Sequence, residues 1–316
     1  MRKFLKNIAC FGMLLLFAVT TVQLGISFKI KYKNLRANDN LEQTSNVNAD
    51  LVLIGSSRAW AHFDPAFFDS IFQVKAVNIG VSGHSEIPLA VIRLKNYLES
   101  NKPPKFAIFN FDPFASADFG NTKDNFVLKN DYARYAFLPE AKDVPLLDYF
   151  KFTTAEKYVP LYAIFKYKLL EDCIFPKKEN YYTRYGYEKN DENWDTIAKP
   201  VTAVMKKHFF KETEVPEITK ALSELKTLCD EKNIHLLCIQ TPVYKVVYNK
   251  EVFSGTKNIA AKLQIPFVDA NVAYIRNDIR FFYNSNHLNT KGVNALNGLL
   301  EKDSLVRKFF KTNANL

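Results

Sequence analysis

The chain is poor in cysteine, with four in 316 residues: Cys10, Cys173, Cys229 and Cys238. Domains that replace a hydrophobic core with disulfides carry many more cysteines over a shorter length. The spacing of these four also matches no zinc-binding pattern. We therefore expect no essential disulfide, no metal and no cofactor. A hydrophobic fraction of 47% provides enough apolar material for a packed core instead.

Acidic residues are absent from residues 1–36, which contain seven bases. These bases flank an uncharged, mostly apolar run over residues 7–28, and about 20 apolar residues suffice to cross a bilayer as a helix. A cleaved signal peptide is the competing interpretation, but its apolar region is usually shorter and ends at a small-residue cleavage site. Leu24–Ser27 is a poor version of such a site. We favour an uncleaved, single-pass anchor in the cell membrane, although lysines at both ends give little information on orientation.

The net charge of +10 does not indicate a nucleic-acid-binding protein. Seven of the 43 bases belong to the anchor segment, which leaves 36 bases against 33 acids in the rest of the chain. No compact basic patch with interleaved aromatic residues is present, as a phosphate-binding surface would require. The bases around the apolar run suit lipid headgroups instead. We expect contact with the membrane through residues 7–28 and no nucleic acid partner.

The remainder of the chain alternates predicted strands and helices. Residues 37–48 are polar and rich in Asn, as in a linker. The apolar runs predict strands at Leu51–Ile54, Val74–Ile79, Phe106–Phe111, Leu236–Ile239 and Pro266–Val268. Helical periodicity predicts helices at Pro65–Phe72, Ser85–Glu99, Ile218–Leu228, a segment ending at Leu263, and Thr290–Leu300. This alternation predicts an α/β fold, namely a three-layer flavodoxin-like parallel sheet covered by helices on both faces.

A segment rich in Tyr and Phe, residues 115–216, interrupts this pattern and divides the domain into residues 49–114 and 217–316. It is either a helical subdomain that packs its own core, or a lid that offers aromatic faces to sugar rings. The helical spacing of Tyr158, Tyr162 and Phe165 favours core packing for one part of it. The cluster around Tyr182 and Tyr185 lacks this period and is predicted as a loop that contacts substrate.

Small polar residues follow each of the first three predicted strands. Gly55–Arg58 follows the first, Asn78–Gly83 the second and Asn110–Asp112 the third, while His287 precedes the last helix. The carboxyl ends of parallel strands meet at one edge of the sheet, which is where ligands bind in open α/β folds. A Gly-Ser turn or a histidine at a helix start is ordinary by itself. Their combination predicts a single site at that edge.

Two of these stretches carry a resemblance to a known family. Leu51–Arg58 and Phe282–Asn289 together resemble the first and last signature blocks of the SGNH/GDSL hydrolase superfamily. The resemblance covers about residues 50–112 and 234–300, and it leaves out the anchor and the aromatic insertion. It implies the SGNH hydrolase fold, with a large insertion between the third and fourth strands.

The resemblance also implies a role for each residue of the site. Ser57 would be the nucleophile, activated by His287 as general base. The oxyanion of the tetrahedral intermediate would be stabilised by the backbone N–H groups of Ser57 and Gly83 and by the side chain of Asn110.

The chain departs from the family pattern at three places. Ser56 stands where many members have Asp, and Asn110–Pro113 replaces the usual Gly-x-Asn-Asp block. Asn284 occupies the position three residues before the histidine, where members generally have Asp. An Asp-to-Asn change in a serine protease triad lowers kcat by about 10⁴, yet Asn is a working third member in Cys-His-Asn proteases. Asp269 or Asp278 could stand in from a neighbouring loop. The site is therefore active, slow or vestigial.

The combination of anchor, site and insertion resembles cell-surface acylation proteins, such as alginate-type O-acetyltransferases and teichoic-acid D-alanylation proteins. The leading hypothesis is a membrane-anchored serine acyltransferase or esterase that acts on a surface glycan, with its domain on the outer side of the membrane. The resemblance also implies a membrane-embedded partner that delivers the acyl group. Arg58 is expected either to pair with Glu86 or Asp112 in a structural role or to contact an anionic substrate. His84 is a further candidate contact for substrate.

Two alternatives remain open from the sequence. One is a carbohydrate esterase that only removes acetyl groups. The other belongs to a different class: a catalytically impaired SGNH-like module that binds glycan or acts as a scaffold in an export complex. Asn284 is the residue on which the second alternative depends.

Overall fold

The computed structural model describes residues 1–32, 40–117, 159, 161–162, 184–195 and 209–312. The chain forms two compact units, Met1–Asp39 with Gly120–Glu179 and Asn40–Phe119 with Asn180–Leu316. The last part of the predicted linker and the end of the predicted insertion thus belong to the larger unit. Tyr182 and most of the aromatic insertion lie outside the described residues, as does Cys173.

The smaller unit contains helix α1, Arg2–Tyr32. Its segment Arg2–Ile26 has 25 residues with a mean hydropathy of 2.0 and is almost entirely exposed. At 1.5 Å per residue this segment is about 37 Å long, whereas the hydrocarbon core of a bilayer is about 30 Å thick. The helix is therefore long and apolar enough to cross a membrane.

The larger unit begins with seven elements before the described chain is interrupted: α2 Asn40–Gln43, β1 Leu51–Ile54, α3 Ser57–His62, α4 Pro65–Phe72, β2 Ala76–Asn78, α5 Ile87–Ser100 and β3 Phe106–Asn110. The second series is α6 Val215–Glu231, β4 His235–Gln240, α7 Lys250–Lys262, β5 Phe267–Asp269, α8 Ala273–Arg276, β6 Phe282–Asn284, β7 His287–Leu288, α9 Thr290–Lys302 and α10 Ser304–Thr312. Short 3-10 turns lie at Arg184–Gly186, Glu212–Glu214 and Ile279–Phe281.

Strands β1 to β5 form one parallel sheet in the order β2-β1-β3-β4-β5. This is one of the common orders of doubly wound α/β sheets, and it confirms the predicted α/β architecture. The four side chains of Leu51–Ile54 have no exposed surface. Burying each of them stabilises the fold by about 1.5–3 kcal/mol relative to exposure, which makes β1 a fixed support for the residues that follow it.

Alternate side chains of the sheet enter two separate apolar clusters. Val52 and Ile54 pack with residues of α5, α6 and α7 on one face. Leu51 and Leu53 pack with residues of α3, α4, α9 and α10 on the other face. The larger unit therefore has helices on both sides of its sheet, as the sequence predicts.

Several elements on the second face are absent from the sequence prediction, among them α3, α10 and the strands β6 and β7. Helix α10 buries Val306, Phe309 and Phe310, and the ring of Phe310 stacks on Phe72 of α4 with centroids 4.4 Å apart. Strands β6 and β7 form an antiparallel hairpin that pairs Asn284 with His287. The hairpin is the second support of the candidate site.

Candidate active site

The turn from β1 into α3 places Ser57 at the carboxyl edge of the sheet. Gly55 has φ +142, and a Cβ atom there would lie 3.0 Å from the Cβ atoms of both Ala59 and Asn110, so only glycine fits. Ser56 caps the helix, because its side chain accepts a hydrogen bond from the backbone N–H of Arg58 at 3.2 Å. Ser57 is then the first residue of α3 and is 8% exposed.

The β6–β7 hairpin fixes the orientation of Asn284. Its Oδ1 atom accepts hydrogen bonds from the backbone N–H groups of Asn286 at 2.9 Å and His287 at 3.0 Å. These two donors decide which atom of the amide is the oxygen, because an N–H₂ group cannot accept hydrogen bonds from backbone N–H groups. The same oxygen lies 3.0 Å from Nδ1 of His287. Nδ1 therefore carries the proton, and Nε2 of the neutral ring is an acceptor.

Ser57 and His287 are in direct contact. Nε2 of His287 lies 2.8 Å from Oγ of Ser57, within the reach that a general base requires. His287 is 9% exposed, and the ring of Tyr283 stacks on it with centroids 5.5 Å apart and an interplanar angle of 17°. Burial raises the pKa of the Tyr283 hydroxyl, so it stays neutral beside the imidazole. The structure thus brings together three predicted residues as a Ser-His-Asn chain.

Arg58 lies behind this chain, in the interior. It is 1% exposed, and its Nε lies 2.9 Å from Oδ2 of Asp112. The guanidinium also donates to the backbone oxygen of Thr241 and to its Oγ1 at 2.9 Å. Burial lowers the pKa of Arg58, whereas the charge of Asp112 acts in the opposite direction. Because these groups enclose the guanidinium, its predicted contact with substrate is not supported, and its role is structural.

His62 is a site residue that the sequence analysis missed. Its Nε2 accepts the backbone N–H of Leu288 at 3.0 Å, and its Nδ1 lies 2.8 Å from Oγ1 of Thr241. Its ring meets the His287 ring edge-on, with centroids 5.9 Å apart. Arg58 and His62 are four residues apart, so they share one face of a helix. That spacing would have pointed to His62 if α3 had been predicted.

Two of the predicted oxyanion donors, Asn110 and Gly83, lie in different surroundings. The Asn110 side chain is 4% exposed, and its Nδ2 donates to the backbone oxygen of Ile239 and to Thr241 Oγ1, both at 3.2 Å. Gly83 is exposed on the loop between β2 and α5, with φ +83. On the same loop, Nδ1 of His84 lies 3.3 Å from Oε2 of Glu86. Asn110 therefore faces β4, whereas Gly83 and His84 belong to a more exposed segment.

The remaining candidates have other surroundings. Tyr185 is half-buried against the apolar cluster that includes α5, as expected for packing. Asp269 accepts a hydrogen bond from Gln240, and Asp278 pairs with Arg280. Neither aspartate therefore replaces Asn284 as the hydrogen-bond partner of His287. Among the described residues, no group of three or more His, Cys, Asp and Glu side chains could hold a metal ion.

Comparison with known proteins gave no relative from which these roles could be transferred. No protein-family model matches the chain, and no curated protein matches it in a sequence search.

Proposed function

We propose that the chain is a serine acyltransferase or ester hydrolase of the SGNH type, in which Ser57 carries an acyl group transiently. The observation that supports this most directly is the 2.8 Å contact between Ser57 Oγ and His287 Nε2. A serine hydroxyl is a weak nucleophile until a base takes its proton, and Nε2 of this tautomer carries the lone pair that can accept it. Asn284 selects that tautomer, because its Oδ1 accepts a hydrogen bond from the Nδ1–H group.

The proposed reaction has two steps with balanced proton transfers. Ser57 Oγ attacks the carbonyl carbon of an ester while its proton passes to His287. The bond to the leaving alcohol then breaks, and His287 returns the proton to the alcohol oxygen. In the second step a glycan hydroxyl or a water attacks the acyl carbon while its proton passes to His287. The bond from Ser57 Oγ to the acyl carbon then breaks, and His287 returns the proton to Oγ. The backbone N–H groups of Ser57 and Gly83 are the proposed donors to the oxyanion.

The proposed setting of this reaction is the membrane surface. The apolar helix α1 supports a membrane anchor. A tethered domain would act on a surface glycan, on the outer side of the membrane, with the acyl group supplied by a membrane-embedded partner. Glycan, partner and orientation follow from the resemblance of the signature blocks and remain part of the proposal.

One observation favours a second candidate function. A neutral amide at position 284 stabilises an imidazolium less than a carboxylate does, because hydrogen bonds to charged groups are stronger. A chain with this weakness could serve as an impaired module that binds glycan or holds an export complex together.

Labelling with a fluorophosphonate tests the proposal, using the full 316-residue chain in detergent and peptide mass mapping. We expect one labelled residue, Ser57, with no label in Ser57→Ala and labelling at least about 100-fold slower in His287→Ala, since a general base contributes about 10²–10⁴. Ser70→Ala is the matched control, because Ser70 lies exposed in the neighbouring helix α4, and it should label like the wild type. A folded wild-type chain that takes no label would contradict the proposal and favour the impaired module.

A further inference from the structure

A second polar cluster lies behind the Ser57–His287 contact. We call it the rear cluster, and it consists of Arg58, His62, Asp112 and Thr241. Each of these side chains is at most 3% exposed. The proposed reaction uses none of them directly. Arg58 and His62 nevertheless belong to the same helix as the nucleophile.

The hydrogen bonds of His62 define its tautomer. A backbone N–H can only donate, so the 3.0 Å contact with Leu288 makes Nε2 of His62 an acceptor. The neutral ring then carries its proton on Nδ1, which donates to Thr241 Oγ1 at 2.8 Å. An imidazolium, or the opposite tautomer, would direct an N–H at the N–H of Leu288. The structure therefore requires neutral His62 with its proton on Nδ1.

We propose that His62 is a positioning residue that holds His287 at the correct distance from Ser57. The proposal rests on the proposed function of the Ser57–His287 pair. Ser57 and His62 are the first and last residues of α3, and both contact the short strand β7. Ser57 contacts the side chain of His287, and His62 contacts the backbone of the next residue. These two contacts define the position of β7 relative to α3.

The rear cluster also fixes α3 itself. The Arg58 side chain joins the helix to Thr241 in the segment after β4 and to Asp112 in the segment after β3. His62 uses the same Thr241 hydroxyl as its second partner. The position of His287 thus depends, through the His62 imidazole, on the segment after β4, which Arg58 also joins to α3. Misplacing a reacting group by about 1 Å lowers a rate by about 100-fold, which is the effect that loss of His62 should produce.

The test combines a spectroscopic and a kinetic measurement on the full chain. Magic-angle-spinning NMR of the lipid-reconstituted chain with ¹⁵N-labelled histidine distinguishes protonated from bare ring nitrogens. In the wild type we expect both His62 and His287 as neutral Nδ1–H tautomers. In His62→Phe, His287 should keep its Nδ1–H tautomer, because Asn284 selects it, but its Nε2 signal should shift as the hydrogen bond from Ser57 is lost. Fluorophosphonate labelling at Ser57 should then slow by about 100-fold. Thr241→Val keeps the imidazole and the Leu288 N–H, so His62 should stay an Nδ1–H tautomer, but the loss of its oxygen partner should shift the Nδ1 signal of His62 and, through β7, the Nε2 signal of His287.

His235→Phe is the matched control, since His235 is half-buried at the opposite end of β4. This variant should keep both the His287 signal and the labelling rate. An Nε2–H or doubly protonated His62 in the wild type would overturn the proposal. An unchanged His287 signal in folded His62→Phe would do the same. If His62→Phe does not fold, the wild-type and Thr241→Val spectra decide. The tautomers are measured without any reaction, so a chain that fails to label refutes the proposed function without deciding this inference.

Discussion

Ser57 and Gly83 both follow strands of the parallel sheet, but their surroundings differ. Ser57 is 8% exposed and is held by a helix cap, by His287 and by a helix that Arg58 fixes to Thr241. Gly83 is exposed, and nothing lies within 4 Å of the position that a Cβ atom would take there. The proposed nucleophile and its base are therefore arranged in advance, whereas Gly83, one of the two proposed backbone donors, belongs to a loosely packed turn.

The transition between these two regions falls within the loop after β2. Its first part is held by Arg93, whose Nε donates to the backbone oxygen of Ile79 at 2.7 Å, and by the bond from Val81 N–H to Gly55 O at 2.9 Å. Ser82 and Gly83 are exposed. Substitutions in the first part of this loop should therefore lower stability and the labelling rate more than substitutions at its exposed positions.

The largest effect should come from Asn284→Leu, which removes the acceptor that selects the tautomer of His287. We expect fluorophosphonate labelling of Ser57 to slow by at least about 100-fold, because a base with its proton on the wrong nitrogen cannot accept from the hydroxyl. Labelling rates measured alongside unfolding midpoints separate this loss from general destabilisation of the hairpin.

Asn284→Asp is the control for that variant. The large penalty of an amide in a serine protease triad arises from the wrong tautomer, but here Oδ1 already faces Nδ1. A charged acceptor adds about 1–1.5 kcal/mol over a neutral one, so labelling should accelerate by no more than about tenfold. A gain of several thousandfold would show that the amide does not select the tautomer in this way.

Two glycines of the loop after β2 provide a paired test of the comparison. A Cβ atom on Gly80 would lie 2.7 Å from the backbone nitrogen of Trp60 in α3. Gly80→Ala should lower the free energy of unfolding by about 1–3 kcal/mol and, by displacing α3, slow labelling by about 100-fold.

Gly83→Ala should be milder, because the space around that position is open and only its φ of +83 opposes a side chain. We expect about 1 kcal/mol of destabilisation, and labelling within about fivefold of the wild type. If labelling of Gly83→Ala falls as far as that of Gly80→Ala, the turn at Gly83 is not loosely packed as the structure indicates.

The parts of the fold that were predictable from sequence are those with a clear local pattern. Leu51–Ile54 was predicted with its observed bounds, because four apolar residues in a row suit a strand buried on both faces. Helix α3 was missed, since it has six residues and begins within what looks like a Gly-Ser turn. His62, which this helix places beside Arg58 behind the site, was missed for the same reason.

Within the site, the predictable residues were those with a distinctive type at a distinctive spacing: Ser57 after β1, and Asn284 three residues before His287. Thr241 gives no such signal, because its role arises from contacts with residues about 180 positions away, brought near by the strand order. The direction of the Asn110 side chain depends in turn on Thr241. Long-range contacts of this kind are decided by the packing of the sheet rather than by any local pattern.

An equally small effect should come from Asn110→Ala, which tests whether this side chain donates to the oxyanion. Its Nδ2 is engaged by Ile239 and Thr241, and its Oδ1 accepts no hydrogen bond from the described residues. The Ile239 oxygen keeps a second donor, the backbone N–H of Phe111 at 3.1 Å. We therefore expect a loss of about 1 kcal/mol in the free energy of unfolding.

Labelling of Asn110→Ala at Ser57 should stay within about fivefold of the wild type, because even about 1 kcal/mol that fell wholly on the activation barrier would change the rate by only that factor. A side chain that donates to the oxyanion would instead contribute about 10²–10³ to the rate. A loss of that size with little change in stability would move Asn110 into the catalytic machinery, and its amide would have to leave β4 during the reaction. The expected result would restrict the proposed oxyanion donors to two backbone N–H groups. The buried turn after β1 would then provide the nucleophile and the N–H of Ser57, and the exposed loop after β2 would provide the N–H of Gly83.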